Sequence, residues 1–283
     1  MELTGLHSSN LNQTKAVAII PARYESTRLP GKALLEIGGK PMICCVAEQA
    51  KAAKNVARVI VATDDQRIVS VVEAAGFEAK LTRRDHVSGT DRLAEVAATI
   101  DAEIIINVQG DEPLIAPETI ESAVTALIDH PTGGMVTSWE PIDKAVDVFN
   151  PDLVKIVVSA EGRAIYFSRA PVPWPRDAVR EYGTLENALR QQPSLLASFR
   201  KHTGLYGYRR DVLLSFTKWP QSPLERQESL EQLRALEHGV EIFTIEASTS
   251  SVGVDTAEDL ERVRQIVADS ISRVRDSEFQ MGV

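Results

Sequence analysis

The sequence predicts an α/β protein, with a mainly parallel sheet covered by helices on both faces and a smaller mixed-strand lobe in the second half. Two observations carry that prediction. Short runs that are apolar on both faces alternate with longer helical patterns through the first half, as βαβ units require. From about residue 151 the pattern changes to a hairpin signal, a Pro-rich segment and an isolated alternating run.

Residues 16–20 read A-V-A-I-I, which lacks a polar face and so predicts a central parallel strand. Residues 59–63 (V-I-V-A-T) and 104–109 (I-I-I-N-V-Q) repeat the pattern. Helical patterns cover 42–53, 65–75 with Gly76 as a stop, 92–100 and 117–130. Two strand-like runs, 154–158 and 164–168, flank Ala160-Glu161-Gly162 as a hairpin. The Pro-rich stretch 171–175 and the polar stretch to about residue 194 predict a mobile loop. Residues 202–208 alternate as a strand, and 224–236 read as one charged amphipathic helix. Residues 252–255 end a strand-like segment, and 256–274 form the closing helix. The expected organisation is an α/β core of residues 16–150 and 209–275, a lobe of residues 151–208, and a polar N-terminal extension, 1–15.

Composition narrows the class. A chain of 283 residues, 43% hydrophobic and 25% charged, is an ordinary globular sequence rather than a disordered one or a coiled coil. It holds no uninterrupted apolar run of about 18 residues, so no membrane span is expected. The polar start lacks the apolar core of an export signal. Cys44 and Cys45 are the only cysteines; they can form neither a disulfide framework nor a Cys-based zinc site, which favours a reducing, cytoplasmic setting. A net charge of -9 argues against nucleic-acid binding and requires any anionic ligand to meet locally gathered positive charge.

Ligands of open parallel sheets bind beyond the carboxyl ends of the strands. After the first strand stands P-A-R-Y-E-S-T-R-L-P-G-K, in which Arg23, Arg28 and Lys32 offer forked and point-charge donors to phosphate oxygens. The alternative is a solvated loop pairing with surface carboxylates. Neither G-x-x-x-x-G-K-[ST] nor G-x-G-x-x-G is present, which weighs against ordinary ATPase and dehydrogenase sites. After the third strand, Gln109-Gly110-Asp111-Glu112-Pro113 places an Asp where it can hold Mg2+ or simply bond its own turn. Asp255-Thr256 precedes the last helix, and one of them reads equally as its N-cap. Ser88-Gly89-Thr90-Asp91-Arg92 suits either a cap or a nucleotide contact. His202 and Tyr206 share a strand face, where His202 is either a satisfied core histidine or a sugar contact. L-E-Q-L-R, 230–234, is a further cluster, although polar residues on a helix are more often merely exposed.

In chain order these stretches are joined by N-P-D-L-V-K-I-V, Y-F-S-R, K-H-T-G-L-Y-G-Y, L-E-Q-L-R-A-L-E and V-G-V-D-T. The set closely resembles the 3-deoxy-manno-octulosonate cytidylyltransferases from about residue 16 to 267. The resemblance implies a Rossmann-like nucleotidyltransferase core with a smaller sugar-binding and dimerisation lobe, acting as a homodimer. It implies CMP transfer from CTP to the acidic sugar Kdo, with pyrophosphate released, for lipopolysaccharide biosynthesis. By motif, Arg23, Arg28 and Lys32 would grip the triphosphate, Ser88 and Gly89 would belong to the nucleotide pocket, and Asp111 and Asp255 would hold Mg2+. Gln109, Arg169, His202, Tyr206, Glu231 and Gln232 would frame the Kdo, with Arg169 a partner for its carboxylate. Lys32, Asp111 and Asp255 are the expected catalytic set. Two competing readings are a cytidylyltransferase for another acidic sugar and a nucleotide-binding module without catalysis.

Overall fold

A computed structural model describes residues 16–26 and 28–281. The N-terminal extension expected over 1–15 lies outside the described residues. The core begins with β1 (Ala16–Ala22), a 3-10 turn (Lys32–Leu34), the short pair β2 (Glu36–Ile37) and β3 (Lys40–Pro41), and α1 (Met42–Ala52). It continues through β4 (Arg58–Thr63), α2 (Gln66–Ala74), β5 (Glu78–Leu81), α3 (Gly89–Ala98), β6 (Ile104–Asn107), α4 (Pro117–Asp129) and β7 (Met135–Pro141). The second half contains α5 (Ala145–Phe149), the pair β8 (Lys155–Val158) and β9 (Ala164–Ser168), α6 (Arg176–Tyr182), α7 (Leu185–Gln191) and a 3-10 stretch (Pro193–Ser198). Then follow β10 (Arg200–Arg209), α8 (Arg210–Phe216), α9 (Pro223–Glu228), α10 (Gln232–Glu237), β11 (Ile242–Glu246) and α11 (Ala257–Met281).

The main sheet runs β11-β7-β10-β6-β1-β4-β5, with the β8–β9 hairpin branching from β10. β6, β1, β4 and β5 are parallel, while β10 is antiparallel to both β6 and β7. The doubly apolar strands are explained by the two cores they serve. Ala16, Ala18 and Ile20 pack with α1, α2 and α4, whereas Val17 and Ile19 pack with α3, α8 and α10. Each wholly buried Ile or Val contributes on the order of 1.5–3 kcal/mol relative to exposure. The register pairs Ala22 with Thr63 and Ile19 with Asn107, so the loops leaving β1, β4 and β6 emerge side by side on one edge.

Three local expectations are corrected. The polar stretch up to residue 194 is not a loop: it holds α6 and α7, and Thr184 caps the latter by accepting from Asn187 N at 3.1 Å. Leu185 and Leu189 bury against Ile142, Val148 and Phe199, an apolar spacing masked by the charged outer face. The single helix expected over 224–236 is two, α9 and α10, broken at Ser229 with φ of 54°. Arg234 folds back to donate from Nε to buried Glu225 at Oε2, 2.7 Å away, and that ion pair holds the break. Residues 252–255 form no strand; the strand is β11, and an irregular segment carries the chain to α11.

Candidate active site

Lys32 opens the 3-10 turn that ends the β1 loop, and its ammonium lies between two carboxylates from distant loops. Nζ is 2.7 Å from Asp111 Oδ2 and 3.0 Å from Asp255 Oδ1, and Arg28 reaches Asp255 Oδ2 at 3.2 Å. The Lys32 side chain is only 17% exposed, while Asp111 and Asp255 remain open to solvent on the cleft side. Arg23, Ser26, Gln109 and Gly110 join them in lining a cleft of about 330 Å³. Asp255 is free for this because Thr256 takes the cap: its hydroxyl accepts from Asp259 N at 3.1 Å, while the Asp259 carboxylate accepts from Thr256 N at 2.9 Å. Gly110 permits the approach of the Asp111 loop to β1, since a Cβ there would stand 2.6 Å from the Pro21 carbonyl oxygen.

A second cleft of about 220 Å³ shares Pro21, Ala22, Arg23 and Gln109 with the first and adds His86, Ser88, Gly89 and Arg92. Ser88 caps α3 through a capping box with Asp91, so it serves the helix and lines the cleft together. Buried Arg92 donates to Asp64 Oδ2 at 2.8 Å and to the Thr82 hydroxyl, tying the ends of β4 and α3.

The residues expected to frame a sugar occupy several places. Gln109 Nε2 donates to the Gly204 carbonyl at 3.0 Å, joining the first cleft to a bulge in β10 between Thr203 and Tyr206. His202 lies edge-on to Phe167 and 5.3 Å from the Tyr206 ring. Burial holds its pKa down to about 3, so the imidazole is neutral near pH 7. Thr137 Oγ1 gives its one proton to the Leu205 carbonyl at 2.8 Å, so the His202 Nε2, 2.9 Å away, must be the donor in their bond. That tautomer leaves Nδ1 as an acceptor, suited to a hydroxyl rather than a carboxylate. Burial pushes the Tyr206 and Glu231 groups upward; Glu231 accepts from the Thr90 hydroxyl and lines a third cleft of about 720 Å³ with Ser88 and Arg234. Gln232 is buried at the start of α10. Arg169 donates from Nε to the Glu228 carbonyl at 2.8 Å and from a terminal nitrogen to the Pro151 carbonyl at 2.9 Å, bracing two loops. His202, Tyr206, Gln232 and Arg169 line none of these three clefts.

Several residues here were not singled out by sequence. Glu112 is pushed up to about 7 by burial and by neighbouring Asp111. Its only signal was its place in Gly110-Asp111-Glu112-Pro113. Asp64 directly follows β4, where strand-end logic places ligand contacts. Thr90 stood in the quoted cluster without a role, and Thr137 had no signal at all.

A mostly parallel α/β sheet with cations and carboxylates gathered at the carboxyl ends of its parallel strands is the architecture of nucleotide-handling enzymes, and the cytidylyltransferase family model matches residues 17–242. A 3-deoxy-manno-octulosonate cytidylyltransferase of Geobacter sulfurreducens is 50% identical over 246 residues, covering 87% of this chain and 96% of the relative. One from Pseudomonas fluorescens is 51% identical over 254 residues, covering 88% and 96%. The solved structure of a CMP:2-keto-3-deoxy-manno-octonic acid synthetase complexed with CTP superposes with a TM-score of 0.82 at 45% identity, over 91% of this chain and 100% of that one. The chain belongs to the 3-deoxy-manno-octulosonate cytidylyltransferase family.

Proposed function

We propose that this enzyme transfers CMP from CTP to the anomeric hydroxyl of Kdo, giving CMP-Kdo and pyrophosphate for lipopolysaccharide biosynthesis. The observation that carries the reading is the convergence of Lys32, Asp111 and Asp255 on one point at the carboxyl edge of the sheet. The sugar oxygen forms a bond to the α-phosphorus, the bond from that phosphorus to the pyrophosphate oxygen breaks, and the hydroxyl proton is released. Such a transfer needs alignment and charge neutralisation rather than a covalent nucleophile.

Arg23, Arg28 and Lys32 hold the triphosphate, and Ser88 and Gly89 hold the nucleoside beyond Arg23. Asp111 and Asp255 are the residues that would hold Mg2+. Both carboxylates face the Lys32 ammonium, with Arg28 also on Asp255, and both offer the hard oxygens that Mg2+ takes. When bound, the ion neutralises phosphate charge and lowers the pKa of a nearby hydroxyl.

Gln109, His202, Tyr206, Glu231 and Gln232 orient the sugar, His202 by accepting a hydrogen bond from a sugar hydroxyl at Nδ1. Arg169 meets the carboxylate only by exchanging a loop carbonyl for it. The sugar-binding and dimerisation lobe expected over residues 151–208 reduces to about 151–199, set on a 16–150 and 209–275 core that also takes in β10, because β10 lies between β6 and β7 in the main sheet. Exposed Ile165 and Trp174 within that lobe, with Val146 and Phe149 just before it, suit a homodimer contact. Among the described residues no helix is long and apolar enough to cross a membrane. The free thiols of Cys44 and Cys45 fit a cytoplasmic setting.

The test is pyrophosphate release with Mg2+, CTP and Kdo, with UTP, ATP and a sialic acid as controls. Release with CTP and Kdo alone is expected. Release with CTP and a different acid would relocate the error to the lobe, and CTP binding without turnover on any acid would favour a non-catalytic nucleotide module.

A further inference from the structure

The segment between β11 and α11, residues 247–256, has no regular structure and yet carries Asp255. Ordering such a segment costs roughly 1–2 kcal/mol per residue in backbone entropy, so its anchors decide how well Asp255 is placed. At its start, Ala247 N donates to the Trp139 carbonyl at 2.9 Å and Ser248 N to the Thr119 hydroxyl at 3.0 Å. At its end, Val254 is wholly buried, and its N–H donates to the Asp111 carbonyl at 2.9 Å. Between them the Glu140 side chain on β7 grips the segment. Glu140 Oε2 accepts from Ser250 Oγ at 2.7 Å, and Oε1 accepts from Ser251 N at 3.3 Å.

Glu140 is 3% exposed, and a carboxylate so buried requires a partner. Lys201 supplies it, with Nζ 2.8 Å from Oε2. The two residues face each other across the β7–β10 ladder, so the register of the sheet fixes the pair. Glu112, next in chain to Asp111, faces the same Lys201, Glu140 and Ser251. The loops that bear Asp111 and Asp255 thus meet through the Val254 N–H on the Asp111 carbonyl, and the ion pair holds the Asp255 side of that contact, although neither Glu140 nor Lys201 lines the first cleft.

We infer that Glu140, held by Lys201, is a positioning residue that sets Asp255 against Asp111; the inference rests on the reading of those carboxylates given above. Glu140→Gln retains the shape and an acceptor but removes the charge. Loss of a group that orients a metal-site carboxylate costs roughly 10- to 100-fold, so kcat should fall by about that factor, with KM for Kdo within about twofold. In the ligand-free protein, amide hydrogen exchange should quicken across residues 247–256 and stay unchanged in β1 and β6. Lys201→Arg, which keeps the pair, should restore much of the rate that Lys201→Met loses. If Glu140→Gln does not fold, Ser250→Ala removes one anchor from the exposed side and should show the same local exchange change with a smaller fall in kcat. Wild-type kcat and exchange in the folded variants would overturn the inference, and so would faster exchange throughout the sheet. A wild-type protein inert toward CTP and Kdo would instead refute the functional reading, whatever the exchange shows.

Discussion

Lys32 stands between Asp111 and Asp255, and its ammonium offsets the mutual repulsion of two carboxylates that the fold brings together. His202 shows the opposite economy: an ionisable side chain kept neutral by burial and fixed in one tautomer by Thr137. That has a consequence for stability. With a folded pKa of about 3 and an ordinary value of 6.5, His202 binds more protons unfolded than folded across that window. Its contribution is complete above the ordinary value and declines as pH falls toward the folded one. Glu112, raised from 4.5 to about 7, acts in the reverse sense, so the comparison must isolate His202. Denaturant melts of the wild type and His202→Gln should converge or cross as pH falls from neutrality, the wild type losing stability faster. A difference between them that does not vary with pH would show that His202 titrates normally.

At the scale of elements, the site depends on how closely the Asp111 loop approaches β1. Gly110→Ala would set a Cβ 2.6 Å from a backbone carbonyl that cannot swing aside. Overpacking of this kind costs roughly 1–3 kcal/mol. The variant should melt earlier and also turn over more slowly than its remaining stability explains, because Asp111 moves off Lys32; calorimetry beside initial rates checks both. Wild-type melting would mean that the two loops part freely.

The elements that build this edge were legible because β1, β4 and β6 are buried on both faces and their apolar runs have no other explanation. The β8–β9 hairpin was legible from its turn, where Gly162 takes a φ of 78°. Helices α6 and α7 were not, because the charged residues on their exposed faces outnumber the few apolar contacts they bury. The break at Ser229 was hidden for a different reason: it is held by the Arg234–Glu225 pair, a contact between elements rather than a local preference. β7 and β11 pair with strands remote in sequence and are defined by the sheet they complete. The same limit applied within the site. Lys32, Asp111 and Asp255 stood out by type and strand-end position, whereas Thr137 and the Glu140–Lys201 pair matter only through what they touch.

Taken whole, the molecule carries a net charge of -9 and yet gathers Arg23, Arg28 and Lys32 at one cleft, the local positive charge that the proposed triphosphate substrate needs. The fold brings to one point side chains far apart in the chain, Lys32 and Asp255 being 223 residues distant, and the proposed chemistry depends on that convergence. The most direct test is the rate of Mg2+-dependent pyrophosphate release from CTP and Kdo by Asp255→Ala, with its fold verified by circular dichroism. A loss of roughly 100-fold or more is expected, comparable to removing a group that stabilises transition-state charge. A folded variant that releases pyrophosphate at the wild-type rate would contradict the account and remove Asp255 from the chemistry.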